Sequence, residues 1–310
     1  MKRSAREAAM PLGLIAKGNS GTPPHMTKPG VRAIDHLVLP TASLDVARRR
    51  LSALGFNVAP DGVHPFGTVN CCVYLADGTF LEPLALRDGA AAAAAIAAGN
   101  VFVARDHVHR AMSGEEGFSA IVLASDAADA DHEAFVDAGI SGGDILTFSR
   151  EARDAAGNVG TASFRLAFAA DVDTADAFLF SCQRVNVPAI DRSALQRHGN
   201  GATGIRAIVV DGHATSFMRL VANAAGDPWP RTSGPVTLAN AVVRPADKSD
   251  PFPVGESAAT LSAIVFSVDR IGKTRDAFDA GGIAYRSDGG RLVVPPAPGQ
   301  GAVFIFEEKV

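Results

Sequence analysis

The chain has 310 residues, a length that favours two domains of about 150 residues over a single one. It carries 29 basic and 33 acidic residues without a basic stripe, so we expect no nucleic-acid partner. No segment approaches the roughly 20 apolar residues of a membrane span, so we expect no membrane partner either. The 3 cysteines form no CxxC pair, which is typical of buried thiols in a reducing compartment, and we expect a cytoplasmic protein.

Residues 1–30 are basic at first and then rich in Gly, Ser and Pro. The apolar stretch at 10–16 is short and contains Pro and Gly, and no clear cleavage motif follows it, which argues against a signal peptide. We therefore predict a disordered N-terminal extension, and Met26 would serve equally well as a start.

A first structural unit is predicted from about residue 31 to residue 86. The apolar run at 33–39 predicts a strand, and leucine and alanine at helical spacing predict a helix over 44–54, ended by Gly55. Three further strands are predicted at residues 56–59, 68–75 and 79–86. The Asp77–Gly78 turn between the last two is a strong hairpin signal.

The order of one strand, one helix and three strands recurs from about residues 118, 204 and 261. The pattern predicts an α+β fold of four βαβββ units, paired into two curved mixed sheets. We expect units one and two to form a domain over residues 31–190, and units three and four a shorter one over 191–310. An alanine-rich helix at 90–98 is predicted to link the first two units.

Two of the apolar strands each contain one side chain that commonly binds metals. His36 lies in the first strand and Glu82 in the fourth, so both can face the same hollow of one small sheet. His36 alone could be a core histidine with a backbone partner, but a glutamate inside an apolar strand needs a partner. Imidazole and carboxylate suit Zn, Mn, Fe or Ni, and such a metal would act as a Lewis acid. Without a metal, Glu82 would act as a general base, its pKa raised by burial.

The entry to the third strand carries a second cluster of polar residues. Thr68 and Asn70 alternate with an apolar residue and face one side, while His64 precedes them and Gly67 allows close backbone approach to a ligand. These four residues are candidates for substrate binding. The alternative interpretation is a turn followed by a strand whose polar face is merely solvated.

Other features point less clearly to a site. His107 and His109 lie in a charged stretch and are predicted to face solvent. Aromatic residues make up 6% of the chain, which gives no indication of an aromatic pocket.

The segments 34–38, 64–70 and 81–82 resemble the vicinal oxygen chelate superfamily, and within it the glyoxalase-like domain proteins. The stretches 180–183 and 197–202 resemble the region that joins the two halves in that subgroup, which makes His198 and Asn200 further candidates for substrate binding. The resemblance implies paired units, a divalent metal in the cleft and a small oxygenated substrate.

The chain departs from the superfamily where the partner unit would supply further metal ligands. Ala120 occupies the position that matches His36, and Arg184 stands where this subgroup often has a histidine. A cation at that position would repel a metal, but it could pair with Glu82 or bind a carboxylate substrate. His36 and Glu82 are then the metal ligands, and His64 or His198 could supply a third.

We therefore predict a glyoxalase-like protein that acts on or binds a small oxygenated metabolite, as a metal-dependent lyase or isomerase. His36 and Glu82 are the predicted catalytic residues. The predicted substrate-binding residues are His64, Gly67, Thr68, Asn70, Arg184, His198 and Asn200. The alternative is a non-catalytic, metal-free binding module. Four units can pair within one chain, so we expect a monomer or a homodimer.

Overall fold

A computed structural model describes residues 30–153, 159–171, 174, 177–188, 191–227, 234–252, 255 and 258–309. The predicted N-terminal extension lies outside these residues except for Gly30. The helices within the described ranges are α1 (Leu44–Ala53), α2 (Gly89–Ala97), α3 (Val101–Ser113), α4 (Ala128–Asp137), α5 (Thr215–Ala225) and α6 (Ile271–Ala280). None of these helices combines the length and apolar character that a membrane crossing needs.

The first sheet is formed by strands from the N-terminal part of the chain. They are β1 (Ile34–Pro40), β2 (Asp61–Val63), β3 (Thr68–Cys71), β4 (Val73–Tyr74), β5 (Phe80–Leu86), β6 (Ala120–Ser125), β7 (Leu146–Arg153), β8 (Val159–Ala169) and β9 (Phe178–Asn186). Their order is β2-β3-β5-β1-β6-β9-β8-β7, and β4 also pairs with β5. The edge strands β2 and β7 contact each other, so the sheet curls until it is nearly a barrel.

The second sheet is formed by the C-terminal strands. They are β10 (Ala202–Asp211), β11 (Val236–Thr237), β12 (Val242–Pro245), β13 (Thr260–Val268), β14 (Arg286–Asp288), β15 (Arg291–Val294) and β16 (Val303–Glu308), in the order β11-β12-β10-β13-β16-β15-β14. Both sheets mix parallel and antiparallel pairs, for example β1 parallel to β5 and antiparallel to β6. The predicted α+β class with two curved mixed sheets is confirmed.

The main core lies between the outer faces of the two sheets, where α1, α4, α5 and α6 also pack. Leu51 of α1 and Phe278 of α6 are fully buried in it. Phe56 reaches from the first half into a ring cluster with Phe266 and Phe306, at centroid distances of 5.5 and 6.1 Å. Each such phenylalanine contributes about 2 kcal/mol by leaving water, so the two halves stabilise one another.

A smaller core fills part of the inner face of the first sheet. The predicted alanine-rich linker is helical, and Asp88 caps α2 by accepting hydrogen bonds from the backbone N–H groups of Ala90 and Ala91, both 3.0 Å long. The following helix, α3, inserts Phe102 and Val103 into the hollow of the sheet. The helices α2 and α3 therefore pack against this inner face as well as joining two units.

Two details of the first and third units differ from the prediction. The strand predicted at 56–59 is not formed, because the N–H of Phe56 bonds Leu51 at the end of α1 and that of Asn57 donates to Nδ1 of His198. The ladder begins later, at β2. In the third unit, the described residues contain two strands after the helix, β11 and β12, rather than three.

Candidate active site

A cavity opens on the inner face of the first sheet and contains about 490 Å³ of empty space, including its mouth. Strands from both halves of the sheet, one loop and α3 supply its walls. The lining residues are Asp35, His36, His64, Phe66, Asn70, Phe80, Glu82, Phe102, Phe148, Arg150, Phe164, Leu166, Phe180, Cys182 and Arg184.

His36 lies on the cavity wall between two carboxylates. Its Nδ1 is 2.7 Å from Oδ1 of Asp35, and its Nε2 is 3.2 Å from Oε2 of Glu82. Neighbouring residues on a regular strand point to opposite faces. The pairing of β1 with β6 shifts register between Ile34 and His36, and this bulge lets Asp35 and His36 line the same cavity.

The imidazole of His36 is held firmly in this position. It stacks on Phe80 with ring centroids 4.3 Å apart, and the residue is only 5% exposed. Burial lowers the pKa of His36, but hydrogen bonds to Asp35 and Glu82 outweigh burial, and the pKa is raised above its ordinary value. His36 is therefore stabilised as an imidazolium cation.

Glu82 is buried on β5 and receives two hydrogen-bonding partners. Asn70 Nδ2 donates to Oε1 at 2.6 Å, and His36 faces Oε2. Burial raises the pKa of Glu82, but the hydrogen bond from His36 and its charge, with Asn70, lower it to about 2. The predicted rise in the pKa of Glu82 is therefore wrong: sequence showed the apolar strand but not the partners that stabilise the carboxylate.

His64 forms the next contact outward from Glu82. Its Nδ1 is 2.8 Å from the hydroxyl of Thr68, and its Nε2 is 3.7 Å from Oε1 of Glu82 and 3.3 Å from Nδ2 of Asn70. Burial lowers the pKa of His64 to about 4, so its imidazole is neutral at pH 7. Thr68 thus orients His64 from behind and is not itself on the cavity wall.

Arg184 lies on β9 at the opposite side of His36 from Glu82. It forms an ion pair with Asp35, with Nη2 at 2.7 Å from Oδ2 and 2.8 Å from Oδ1. Burial raises the pKa of Asp35, but Arg184 and His36 outweigh burial and lower it to about 2. The expected partner, Glu82, is not the one that Arg184 contacts.

Besides Thr68, three of the predicted substrate-binding residues lie away from the cavity. His198 Nε2 bonds the carbonyl of Tyr74 at 2.9 Å, and Asn200 donates to the carbonyl of Leu54 at 2.8 Å, so both tie the second half to the first. Gly67 has a φ of +89°, and a Cβ there would lie 2.5 Å from the carbonyl of Asp88. The close approach that Gly67 allows is therefore to the start of α2 and not to a ligand.

The structure also brings residues to the cavity that sequence reasoning missed. Of the 17 phenylalanines, six line it, although the average aromatic content gave no such indication. Arg150 reaches the cavity from β7, and Asp35 lines it because of the bulge in β1. In β7 and β8, phenylalanine alternates with polar residues. This alternation was the signal in the sequence that the rings lie on one face of the sheet. His109, predicted to face solvent, is buried in α3.

A family model described as a glyoxalase-like domain matches residues 34–223, more than half of the chain. The chain belongs to the glyoxalase-like domain family. The predicted resemblance to the vicinal oxygen chelate superfamily is confirmed, since the match includes the strands that carry His36 and Glu82. No curated protein matches the sequence.

Solved structures share the glyoxalase-like fold at low identity. A hypothetical protein from Staphylococcus aureus is 14% identical and superposes with a TM-score of 0.60, covering 90% of this chain and 100% of its own. A 4-hydroxymandelate synthase variant from Streptomyces coelicolor is 12% identical with a TM-score of 0.55, covering 90% and 93%. The Mn(II)-bound glyoxalase from Novosphingobium aromaticivorans is 12% identical, covers 90% and 82%, and has a TM-score of 0.45.

Nε2 of His36 and Oε2 of Glu82, which lie 3.2 Å apart, are donor atoms that could take part in holding a divalent metal. Asp35 at Nδ1 of His36 leaves Nε2 directed at Glu82, which is the arrangement of a carboxylate behind a metal-binding histidine. Within the described residues, no group of three or more His, Cys, Asp or Glu side chains is arranged to hold a metal ion. Water or substrate oxygens would have to complete the coordination.

Proposed function

We propose that this glyoxalase-like protein binds a small oxygenated metabolite in the cavity of the first sheet and acts on it as a lyase or isomerase of the glyoxalase type. The observation that carries the proposal is the buried group of Asp35, His36 and Glu82 at the wall of a cavity that six phenylalanines also line. Buried charges of this kind are concentrated at functional sites.

The geometry suits proton transfer at a carbon next to a carbonyl. Glu82 is ionised at pH 7 and offers a carboxylate oxygen as the proton acceptor. The imidazolium of His36, held at Nδ1 by Asp35, would donate from Nε2 to the oxygen on which negative charge develops. Asn70 holds Glu82 in place by its hydrogen bond to Oε1, and Nε2 of His64, positioned by Thr68, lies 3.3 Å from the same amide nitrogen of Asn70.

A divalent metal, when bound, would be held by Nε2 of His36 and the carboxylate of Glu82, and would supply Lewis-acid stabilisation of the same oxygen. The imidazole must lose its Nε2 proton to bind the ion, and its raised pKa opposes this loss. We therefore expect metal affinity to increase as pH rises above neutrality.

The test combines metal content with proton exchange. Protein purified without chelator is analysed for metal, and small 2-oxo and 2-hydroxy compounds are incubated with it in D₂O to detect deuterium at the carbon next to oxygen. We expect His36→Ala to lose both metal and exchange, whereas His107→Ala, a change at an exposed histidine of α3, should keep both. Exchange that persists in His36→Ala and in Glu82→Gln would contradict the proposal.

A second candidate function is a metal-free binding module that sequesters its ligand. The observation in its favour is Arg184, which places a cation about where the partner unit would supply a metal ligand and engages Asp35 instead. A wild-type protein that purifies without metal, binds ligand in the cavity and exchanges no protons would favour the module.

A further inference from the structure

Arg150 is a cation of the cavity that forms no ion pair within the described residues. It lies on the edge strand β7, and its Nε is buried without a hydrogen-bond partner. Its guanidinium lies near a ring, with Cζ 5.7 Å from the centroid of Phe164. A guanidinium in such surroundings is normally matched by a carboxylate or another oxyanion.

The other charged side chains of the cavity already face partners in the protein. Arg184 forms an ion pair with Asp35, and the carboxylate of Glu82 lies against Nε2 of His36 and Nδ2 of Asn70. Within the described residues, Arg150 is the lining arginine that has no carboxylate at ion-pair distance.

The sheet is shaped to admit this side chain. A Cβ on Gly62 of β2 would lie 2.6 Å from Nη1 of Arg150 and 2.5 Å from Oδ1 of Asn70. A larger residue at this position would push against one of the two polar groups, so Gly62 leaves room for the guanidinium of Arg150 beside β2.

The walls around Arg150 are aromatic. Phe148 and Phe164 stack with centroids 5.2 Å apart, and Phe66 packs edge-on against Phe148 at 5.1 Å. Rings of this kind offer apolar surface and edge-to-face contacts to a flat ligand. The cavity thus combines one uncompensated positive charge with an apolar compartment.

We propose that the ligand of the cavity is a small organic carboxylate with an apolar, ring-sized body, and that Arg150 receives its carboxylate group. This inference rests on the proposed function, because it names the class of metabolite that the site binds. One guanidinium without a protein partner matches the single charge of a carboxylate rather than the double charge of a phosphate. The body of the ligand packs against Phe148 and Phe164, and its remaining oxygens reach His36 and Glu82.

The test uses the full chain and three probes of similar size: phenylacetate, the neutral phenylacetamide, and phenyl phosphate. Binding is measured by ligand-detected NMR and calorimetry. We expect phenylacetate to bind about tenfold more tightly than phenylacetamide, since a hydrogen-bonded charge pair discriminates by about that factor. Arg150→Gln should abolish the preference, and Gly62→Ala, on a different strand, should reduce it. Arg165→Gln, which removes an arginine of β8 that pairs with Asp129 outside the cavity, should leave it intact.

The outcomes separate this inference from the proposed function. If the acid and the amide bind equally and Phe148→Ala weakens both, the cavity is a small-molecule site as proposed but the carboxylate inference is wrong. Tighter binding of phenyl phosphate than of phenylacetate, or a preference for phenylacetate that survives in Arg150→Gln, also overturns it. Binding of neither acid nor amide overturns it too, while the proton-exchange experiment still decides the proposed function.

Discussion

Replacing Glu82 by glutamine should expose how strongly the cavity stabilises a negative charge. A carboxyl with a pKa of 4.5 in the unfolded chain and about 2 in the fold contributes about 3 kcal/mol to stability at pH 7. Because its pKa is lowered on folding, this contribution is present above pH 4.5 and is lost as pH falls toward 2. This free energy comes from the interaction of Glu82 with His36 and Asn70. It is assigned to Glu82 and is not added again for its partners.

The measurement is the free energy of unfolding by urea for wild type and Glu82→Gln. We expect a difference of about 3 kcal/mol at pH 7 and less than half of that at pH 3, where the folded carboxylate is within about one pH unit of its own pKa. Glu133→Gln, at an exposed position of α4, is the matched control and should change stability little at either pH. A difference that does not vary with pH would refute the reasoning, because the loss would then come from packing or hydrogen-bond geometry and not from charge.

Two further predictions concern titration in and around the cavity. Burial lowers the pKa of His36 while Asp35 and Glu82 raise it, so Asp35→Asn should lower that pKa. Protonation of His36 stabilises the fold below its folded pKa, and this contribution is lost as pH rises through that pKa. In Asp35→Asn the contribution should be smaller. NMR titration of the imidazole measures the pKa, and an unchanged value would contradict the role given to Asp35. The three cysteines should not react with a thiol reagent in the native protein at pH 7, because burial raises the pKa of Cys71 to about 11 and of Cys72 to about 12, and that of Cys182 well above its ordinary value. All three should react in denaturant, and rapid native labelling would show that the thiols are accessible.

Local patterns were sufficient to predict most of the architecture. The apolar run of β1, the helical spacing of α1 and the capped alanine helix α2 are each encoded within about ten residues, and each forms as predicted. The strand predicted at 56–59 failed because its backbone partners come from a distance: His198 accepts the N–H of Asn57 from 141 residues away. Contacts of that range leave no trace in local periodicity.

The candidate site also contains residues that local sequence patterns predicted and residues that they could not predict. His36 and Glu82 were recognisable because a polar residue inside an apolar strand is conspicuous on its own, and the structure places them 3.2 Å apart. Arg150 and the phenylalanine rings were not recognisable, because they meet only when the sheet curls and its edge strands touch. Asp35 depends on a bulge that strand alternation does not predict.

The second sheet indicates that the fold alone does not require the charges of the first. Its strands β10 and β13 bury an apolar cluster that includes Ala207 and Ala263. The same architecture therefore forms without buried charge at those positions. Buried ion pairs are weak contributors to stability, and hydrocarbon of similar volume often stabilises a fold equally well or better. A sequence that keeps Asp35, His36 and Glu82 inside a ring of phenylalanines thus retains costly groups that the fold does not require, and this argues that they serve a ligand.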